Sequence, residues 1–279
     1  MKTIKSSLIA LFFLASALIV GATQNFASEL VKGVVKDGRG QDVRYIVYLP
    51  TGYEDGEESY PVLYLLHGLT DDEKTWSSAE KGRMQGICDA YFDAKPDRKR
   101  IIVMPDARDT WYRDVYGSDD KYETFFFETL IPTIEKEYRC KTDKANRAVA
   151  GLSMGGYGTL LYALRRPDLF SAAYAMSPAV MFGQRRPKSD EDDFDAKLAY
   201  AEANDVVLML DKLEDKNAVK FTIDCGDDDF CLQGAWEFFR KAQTLKVPCE
   251  LRVRNGVHSW DYWRVSLPKA LDFFSGDLP

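Results

Sequence analysis

A glycine-rich segment at positions 151–156, Gly-Leu-Ser-Met-Gly-Gly, has the residues needed to present a serine hydroxyl for nucleophilic attack. It follows an apolar run that ends at Ala150 and precedes a helical pattern that begins at Tyr157. Gly-x-Ser-x-Gly between a strand and a helix is typical of a nucleophile elbow, a strained turn that lifts the serine above the edge of a sheet. Glycine is favoured on both sides because a side chain would collide with the tight turn. The pattern predicts Ser153 as a nucleophile, against the alternative of an incidental serine in a glycine-rich turn.

Two histidines, His67 and His258, are the only ones in the sequence that could activate this serine. A serine hydroxyl is a weak nucleophile near neutral pH and needs an adjacent base, normally a histidine held by a carboxylate. Where the elbow occurs, the three groups follow the chain order serine, acid, histidine. His258 follows the elbow and lies between a predicted strand and a predicted helix, so we predict it to be the base. His67 precedes the elbow and is expected to shape a loop.

Three consecutive carboxylates, Asp227, Asp228 and Asp229, come after a predicted strand at 219–224, where the acid of such a triad is expected. Three adjacent charges cannot all be buried against one imidazole without strong repulsion, so one must point inward while the others face water. The residues alone leave the choice among the three open. A solvated acidic turn, with the orienting carboxylate elsewhere in the chain, is the alternative.

Acyl transfer also needs backbone N–H groups aimed at the oxyanion of the tetrahedral intermediate. One donor is expected from Met154, the residue after the predicted nucleophile. The second is expected from a loop that follows an early strand, and His67, Gly68 and Leu69 follow the apolar run 62–66 in that place. We assign the second donor to Leu69.

Apolar runs alternate with helical patterns along the chain. Strands are predicted at 43–49, 61–66, 101–104, 147–150, 171–176, 219–224 and 249–253, and helices at 122–138, 157–165, 233–245 and 260–274. This alternation predicts an α/β fold with a mostly parallel central sheet and helices on both faces. The charge-dense stretch 183–194 is interpreted as a surface excursion, either part of a lid or solvent-exposed filler, so we predict one domain over residues 23–279.

The first 22 residues have the pattern of a secretory signal peptide. Lys2 and Lys5 precede an uninterrupted apolar stretch from Leu8 to Val20, and the small residues Gly21 and Ala22 follow. The stretch is shorter than the roughly 20 residues that a membrane-spanning helix needs. We therefore predict a secreted or periplasmic protein without stable membrane insertion after cleavage, and an uncleaved membrane anchor is the alternative.

Composition argues against several classes of partner. The formal net charge is −7, from 44 acidic and 37 basic residues, so the general attraction toward nucleic-acid phosphates is missing. With two histidines and no Cys-x-x-Cys, the chain has too few of the usual zinc ligands, and we expect neither a metal nor another cofactor. The cysteines allow two arrangements. Because there are five, at least one has no intramolecular partner. Cys225 and Cys231 either form a disulfide bridge or are two separately buried thiols.

Several motifs together resemble one branch of a known enzyme family. They are Leu-Leu-His-Gly at 65–68, Met-Pro-Asp at 104–106 with Trp-Tyr at 111–112, Tyr-Glu-Thr-Phe at 122–125 with Leu-Ile-Pro at 130–132, the elbow, and Gly-Val-His-Ser-Trp at 256–260. In this combination the chain resembles the esterase D and antigen 85-like branch of the α/β-hydrolases, which includes feruloyl and acetyl-xylan esterases. The resemblance implies Ser153 as nucleophile, Asp229 as orienting acid at the end of a Gly-x-x-Asp loop, and His258 as general acid and base. Crowding by the neighbouring aspartates leaves Asp228 as the alternative acid.

The resemblance, together with the predicted export, favours feruloyl or acetyl esters on plant cell-wall polysaccharide as substrates. Trp111, Tyr112 and Trp260 are expected to offer aromatic faces to a sugar or feruloyl ring, and core packing is the alternative for each. Trp111 and Tyr112 come just beyond the carboxyl end of a predicted strand, where ligands of open α/β sheets bind. A general short-chain ester hydrolase, an acyltransferase, and a catalytically silent carbohydrate-binding protein are the alternative functions.

Overall fold

An eight-stranded sheet forms the centre of the structure, a computed structural model that describes residues 27–183 and 186–275. The predicted signal peptide, 1–22, lies outside these residues. The strands are β1 (Glu29–Lys36), β2 (Asp42–Leu49), β3 (Val62–Leu66), β4 (Ile101–Pro105), β5 (Arg147–Leu152), β6 (Ala172–Met176), β7 (Lys220–Gly226) and β8 (Cys249–Arg254). Their order across the sheet is β1-β2-β4-β3-β5-β6-β7-β8. Only the pairs β1·β2 and β2·β4 are antiparallel, so the predicted mostly parallel sheet is confirmed.

The strands form where the sequence has short, continuous apolar runs. Every residue of β3, β4, β5 and β6 is buried, as expected for strands covered by helices on both faces. Strand β1 was not predicted, because polar residues and a glycine interrupt the apolar residues of its sequence, Glu-Leu-Val-Lys-Gly-Val-Val-Lys. In the structure the strand is half-exposed. It lies at the edge of the sheet, where such a composition is tolerated.

Helices connect the parallel strands. They are α1 (Met84–Ala94), α2 (Tyr122–Phe125), α3 (Ile131–Glu137), α4 (Met154–Arg165), α5 (Val180–Gly183), α6 (Phe194–Ala203), α7 (Val206–Lys212), α8 (Leu232–Leu245) and α9 (Trp260–Phe274). A π-helical turn, Phe126–Leu130, joins α2 to α3, so the predicted helix at 122–138 is one segment with a widened turn. Helices α1, α5, α6 and α7 were not predicted. The predicted surface excursion ends where α6 begins, and most of its described residues are exposed.

Alternate residues of the central strands belong to two separate hydrophobic cores. Tyr64 and Leu66 of β3 pack in the core formed with α2, α3, α4, α7 and α8. Leu63 and Leu65 pack in the core formed with α1 and α9 on the opposite face. This alternation follows from the two-residue period of a strand, and it confirms the prediction of helices on both faces.

All five cysteines are free thiols in the structure. Cys225 and Cys231 are both buried, which corresponds to the second of the two alternatives drawn from the sequence. Burial raises the pKa of the Cys225 thiol to about 12, so this sulfur is held in its protonated, poorly reactive form.

Within the described residues, every helix is too short or too polar to span a bilayer.

Candidate active site

Ser153 occupies a strained turn between β5 and α4. Its φ of 56° and ψ of −116° lie in a region that residues with a side chain rarely adopt. The turn is held by its backbone, because the N–H of Ser153 donates to the carbonyl of Met176 and its carbonyl accepts from the N–H of Ala179. Glycine is required at 155, since a Cβ there would lie 2.5 Å from the carbonyl oxygen of His67. Helix α4 begins at Met154 rather than at the predicted Tyr157, so the turn opens directly into the helix.

The imidazole of His258 lies between the hydroxyl of Ser153 and the carboxylate of Asp229. Its Nε2 is 2.9 Å from Ser153 Oγ, and its Nδ1 is 3.0 Å from each carboxylate oxygen of Asp229. An ionised carboxylate can only accept hydrogen bonds, so Nδ1 carries the proton and Nε2 is the acceptor for the serine O–H. A hydroxyl that donates to an imidazole nitrogen can lose its proton to that nitrogen during nucleophilic attack.

The structure distinguishes the three consecutive aspartates that the sequence left open. Asp229 is buried and faces His258, whereas Asp227 and Asp228 are exposed. Asp227 accepts a hydrogen bond of 2.9 Å from the backbone N–H of Gly256, which ties the acidic turn to the loop that carries the histidine. One carboxylate therefore points inward while the other two face water, as the repulsion argument predicts.

The carboxylate of Asp229 is kept ionised by its hydrogen bonds. Burial by itself would raise its pKa, but donors from His258, the backbone N–H of Cys231 and Ser177 outweigh burial and lower the pKa below its ordinary value. The bond from Cys231 N to Oδ1 measures 2.8 Å. An ionised carboxylate fixes the imidazole tautomer and stabilises the imidazolium that forms when the histidine accepts a proton.

Ser177 and Trp263 support this carboxylate and were missed in the sequence. Ser177 is fully buried, with a φ of 44°, and directly follows β6 at the same edge of the sheet as Ser153. Its Oγ accepts a hydrogen bond of 3.0 Å from Trp263 Nε1, which leaves its own proton for Asp229. The Trp263 ring also packs edge-on against His258, with centroids 4.8 Å apart. The one signal in the sequence was position, because residues that follow parallel strands gather at one edge of a sheet.

The two predicted oxyanion donors belong to backbone segments next to Ser153. Met154 is the first residue of α4, where backbone N–H groups have no partner within the helix. Leu69 follows Gly68, and a Cβ placed on Gly68 would lie 3.6 Å from Ser153 Cβ. The loop that carries Leu69 therefore passes directly beside the serine.

His67 holds this loop in shape and does not reach the serine. Its Nε2 accepts a hydrogen bond of 2.8 Å from the backbone N–H of Ala107, so its Nδ1 carries the proton and donates to the carbonyl of Gly68 at 2.7 Å. The ring is buried, with an exposed fraction of 1%. The structure thus places His67 as the loop-shaping residue that the sequence suggested.

The three aromatic residues predicted to bind substrate have different environments. Tyr112 has no exposed surface and its hydroxyl donates to the carbonyl of His67, so its burial excludes it as a stacking platform and corrects that prediction. Trp111 is half-buried and packs edge-on against Tyr157. Trp260 is half-buried and packs edge-on against other tryptophan rings. These two rings keep part of their surface accessible.

Phe230 is an exposed aromatic residue beside the site that sequence reasoning missed. Its ring centroid is 4.3 Å from that of His258, and 62% of its surface is exposed. Its position immediately after Asp229 was the signal that could have found it, since the acid and the histidine must meet. The ring therefore leaves apolar surface exposed directly beside the imidazole.

Asp229, Cys231 and His258 also bring possible metal-ligand atoms within 4.8 Å of one another. The carboxylate and the imidazole are already hydrogen-bonded to each other. Burial raises the pKa of the Cys231 thiol, so the sulfur keeps its proton and is a poor ligand. The chemistry of this donor set therefore fits the hydrogen bond between Asp229 and His258 better than it fits a resident metal.

Comparison with known proteins decides the family. The Esterase family model matches residues 38–274, which is most of the chain. The chain belongs to the Esterase family. The solved structure of a ferulic acid esterase is 35% identical and superposes with a TM-score of 0.79, covering 91% of this chain and 100% of that one. These matches confirm the α/β-hydrolase fold and the family resemblance drawn from the motifs.

Two curated relatives show the range of similarity. An endo-1,4-beta-xylanase/feruloyl esterase from Xylanibacter ruminicola is 40% identical over 133 residues, which are 44% of this chain. This chain spans only 18% of the length of that relative. An acetyl esterase from Caldicellulosiruptor saccharolyticus is 24% identical over 240 residues, which cover 78% of this chain and 84% of the relative.

Proposed function

We propose that the protein is an exported serine carboxylic-ester hydrolase that removes feruloyl or acetyl groups from plant cell-wall polysaccharide. The observation that carries the proposal is the position of His258, 2.9 Å from Ser153 Oγ and 3.0 Å from both carboxylate oxygens of Asp229. A nucleophile, a base and an acid in this mutual arrangement are what acyl transfer through a covalent enzyme intermediate requires.

The proposed reaction has two steps. In the first, Ser153 Oγ attacks the ester carbonyl while its proton passes to His258 Nε2, and the same proton then goes to the departing alcohol oxygen. In the second, His258 takes a proton from water, the hydroxide attacks the acyl-enzyme, and the proton returns to Ser153 as the acid leaves. The backbone N–H groups of Leu69 and Met154 hold the oxyanion in both steps. Asp229 stays ionised and stabilises the imidazolium.

The substrate class rests on the relatives and on the exposed aromatic surface. The names of two of the similar proteins include ferulic acid or feruloyl esterase, and a third is an acetyl esterase. Trp111 and Trp260 keep partly exposed rings that can stack on flat or apolar faces of a substrate. The apolar stretch and small residues at 1–22 support export to the periplasm or the medium, where polysaccharide is encountered.

The proposal is tested with purified protein and a panel of esters: methyl ferulate, acetylated xylan and p-nitrophenyl acetate. We expect hydrolysis of at least one aromatic or polysaccharide ester, and covalent labelling of Ser153 by a fluorophosphonate probe. Ser153→Ala should lose labelling and nearly all turnover while keeping the thermal transition of the wild type. Ser171→Ala, just before β6 at the opposite edge of the sheet, is the matched control and should keep both. Turnover retained by Ser153→Ala would refute the assignment, and an unlabelled, inactive wild type would favour a silent binding protein.

Acyl transfer to an acceptor other than water is distinguished in the same assay. If a sugar or short alcohol added to the reaction competes with water for the acyl group, the products include a new ester in proportion to the acceptor. We expect free acid to be the main product at millimolar acceptor. A new ester as the main product would identify the protein as an acyltransferase with the same catalytic residues.

A further inference from the structure

Two exposed phenylalanines form a corner beside the histidine of the proposed site. Phe182, on α5, and Phe230, after β7, meet at a right angle with ring centroids 5.9 Å apart, and we call them the Phe182–Phe230 corner. Their exposed fractions are 54% and 62%. Folding places most phenylalanine surface in the core, so two adjacent rings left in water form an apolar patch suited to a ligand.

The corner is held in fixed relation to Ser153. The short α5 begins just after Ala179, whose N–H donates to the carbonyl of Ser153. The far end of α5 is held as well, because Arg113 Nη1 donates to the carbonyl of Gly183 at 3.1 Å. Phe182 therefore lies on a segment that is hydrogen-bonded to Ser153 before its start and to Arg113 at its end, while Phe230 contacts His258.

The proton path decides which half of an ester lies against this corner. In the proposed reaction, His258 Nε2 gives its proton to the departing alcohol oxygen, so that oxygen must come within hydrogen-bonding distance of the imidazole. The Phe230 ring centroid is 4.3 Å from that of the imidazole, so an alcohol that reaches the imidazole comes close to this ring. The proposed oxyanion donors, Leu69 and Met154, would contact the carbonyl oxygen, which belongs to the acyl half of the ester. The geometry thus points to the leaving alcohol as the occupant.

We propose that the Phe182–Phe230 corner is a glycosyl subsite that binds the sugar ring whose hydroxyl is esterified. This inference rests on the proposed function. The C–H groups on one face of a sugar ring carry partial positive charge, and the faces of aromatic rings are negative, so the two surfaces attract each other. An open corner admits a sugar whose polysaccharide chain continues into solvent. Asp228, exposed in the same turn as Phe230, adds a carboxylate that can accept hydrogen bonds from sugar hydroxyls.

The test compares two esters that share an acyl group and differ in the alcohol: methyl ferulate and a feruloylated arabinoxylo-oligosaccharide. The measured quantity is the ratio of kcat/KM for the oligosaccharide ester to kcat/KM for the methyl ester. In Phe230→Ala and Phe182→Ala, the ratio should fall by roughly three- to tenfold, because a stacking contact of about 1 kcal/mol corresponds to about fivefold. Trp236→Ala removes another exposed aromatic side chain, one that packs on Phe239, and should leave the ratio at its wild-type value.

Any result other than a selective fall of the kcat/KM ratio in the two phenylalanine variants overturns the inference. An unchanged ratio in Phe230→Ala and Phe182→Ala would mean that the corner does not contact the sugar. An equal loss for both esters would mean that Phe230 only positions the imidazole, and Phe230→Leu, which keeps apolar bulk there, would then restore both rates together. Wild-type protein inert toward both esters and toward acetylated xylan would overturn the proposed function as well, whereas an active wild type with unchanged ratios overturns the subsite alone.

Discussion

Nδ1 of His258 lies 3.0 Å from both carboxylate oxygens of Asp229, so the carboxylate faces the imidazole symmetrically. This arrangement fixes both the tautomer and the plane of the ring. It depends on two loops that follow neighbouring parallel strands, β7 and β8, and that are tied together by the bond from Gly256 N to Asp227 Oδ1. The contribution of Asp229 to catalysis can be measured by substitution, because the neighbouring Asp228 offers a control with the same side chain.

Asp229→Asn should reduce kcat by roughly three to four orders of magnitude, because an amide can donate to Nδ1 and favour the wrong imidazole tautomer. Asp228→Asn makes the same chemical change in the adjacent, exposed residue and should stay within about threefold of wild type toward p-nitrophenyl acetate, whose leaving group has no sugar hydroxyls for this carboxylate to bind. Steady-state hydrolysis of p-nitrophenyl acetate provides the measurement. A larger loss in Asp228→Asn would transfer the role of the acid to that residue.

The stability of the protein should depend on pH through Asp229. Its pKa in the folded state lies below the ordinary value of 3.8, so the folded state favours the ionised form more than the unfolded state does. The resulting stabilisation is fully present above the unfolded pKa and is lost as the pH falls through the folded pKa. We therefore expect the stabilisation that wild type has over Asp229→Asn through this carboxylate to shrink as the pH falls below about pH 4.

Urea denaturation at a series of pH values measures this difference. Asp228→Asn again serves as the control, measured across the same series. A difference between wild type and Asp229→Asn that did not shrink below about pH 4 would contradict the lowered pKa of the folded carboxyl.

Ser177→Ala should lower catalytic activity although it leaves the nucleophile, Ser153, unchanged. It removes a donor to Asp229 and an acceptor for Trp263, and a hydrogen bond to a charged group contributes about 1.5–3 kcal/mol. We expect kcat/KM to fall by roughly tenfold or more and the pKa of Asp229 to rise toward its ordinary value. Trp263→Phe keeps a ring against His258 but loses the N–H, so it should have a smaller effect in the same direction.

The pH profile of kcat/KM separates positioning from general destabilisation in these variants. If Ser177 acts through the acid, the acidic limb of the profile should move to higher pH in Ser177→Ala. Ser171→Ala, which loses hydrogen bonds to backbone carbonyls at the opposite edge of the sheet, should keep the wild-type limb. An unmoved limb in Ser177→Ala would limit this residue to a packing role.

Asp224 should contribute strongly to stability. It is fully buried in β7 and accepts hydrogen bonds from the hydroxyls of Tyr174 at 2.8 Å and Tyr262 at 2.5 Å, with Arg254 Nε at 3.5 Å. Asp224→Ala leaves two buried hydroxyls and a cation without this acceptor, so the free energy of unfolding should fall by about 3 kcal/mol or more. Glu250→Gln, an exposed change on β8, should stay within about 0.5 kcal/mol of wild type. Chemical denaturation of both variants tests the contrast, and equal stabilities would refute it.

The sequence by itself determined the parts of the site that depend on local pattern and on scarcity. The elbow at 151–156 requires small residues beside a strained serine, so a short stretch of consecutive residues is enough to identify it. His258 followed because the chain has only two histidines and the other precedes the elbow. The continuous apolar runs predicted the central strands, because a strand covered on both faces has no polar side to present.

Tertiary structure decided everything that depends on which way a side chain points. The sequence has three equivalent carboxylates in a row, and the loop after β7 buries only that of Asp229. Tyr112 and Phe230 are both aromatic residues in loops, yet packing places the first in the core and leaves the second in water beside His258. Ser177 is an ordinary serine until β6 ends next to β7 and brings it to the acid. Composition and spacing specify residue types, whereas burial and contact come from segments far apart in the chain that meet only in the folded protein.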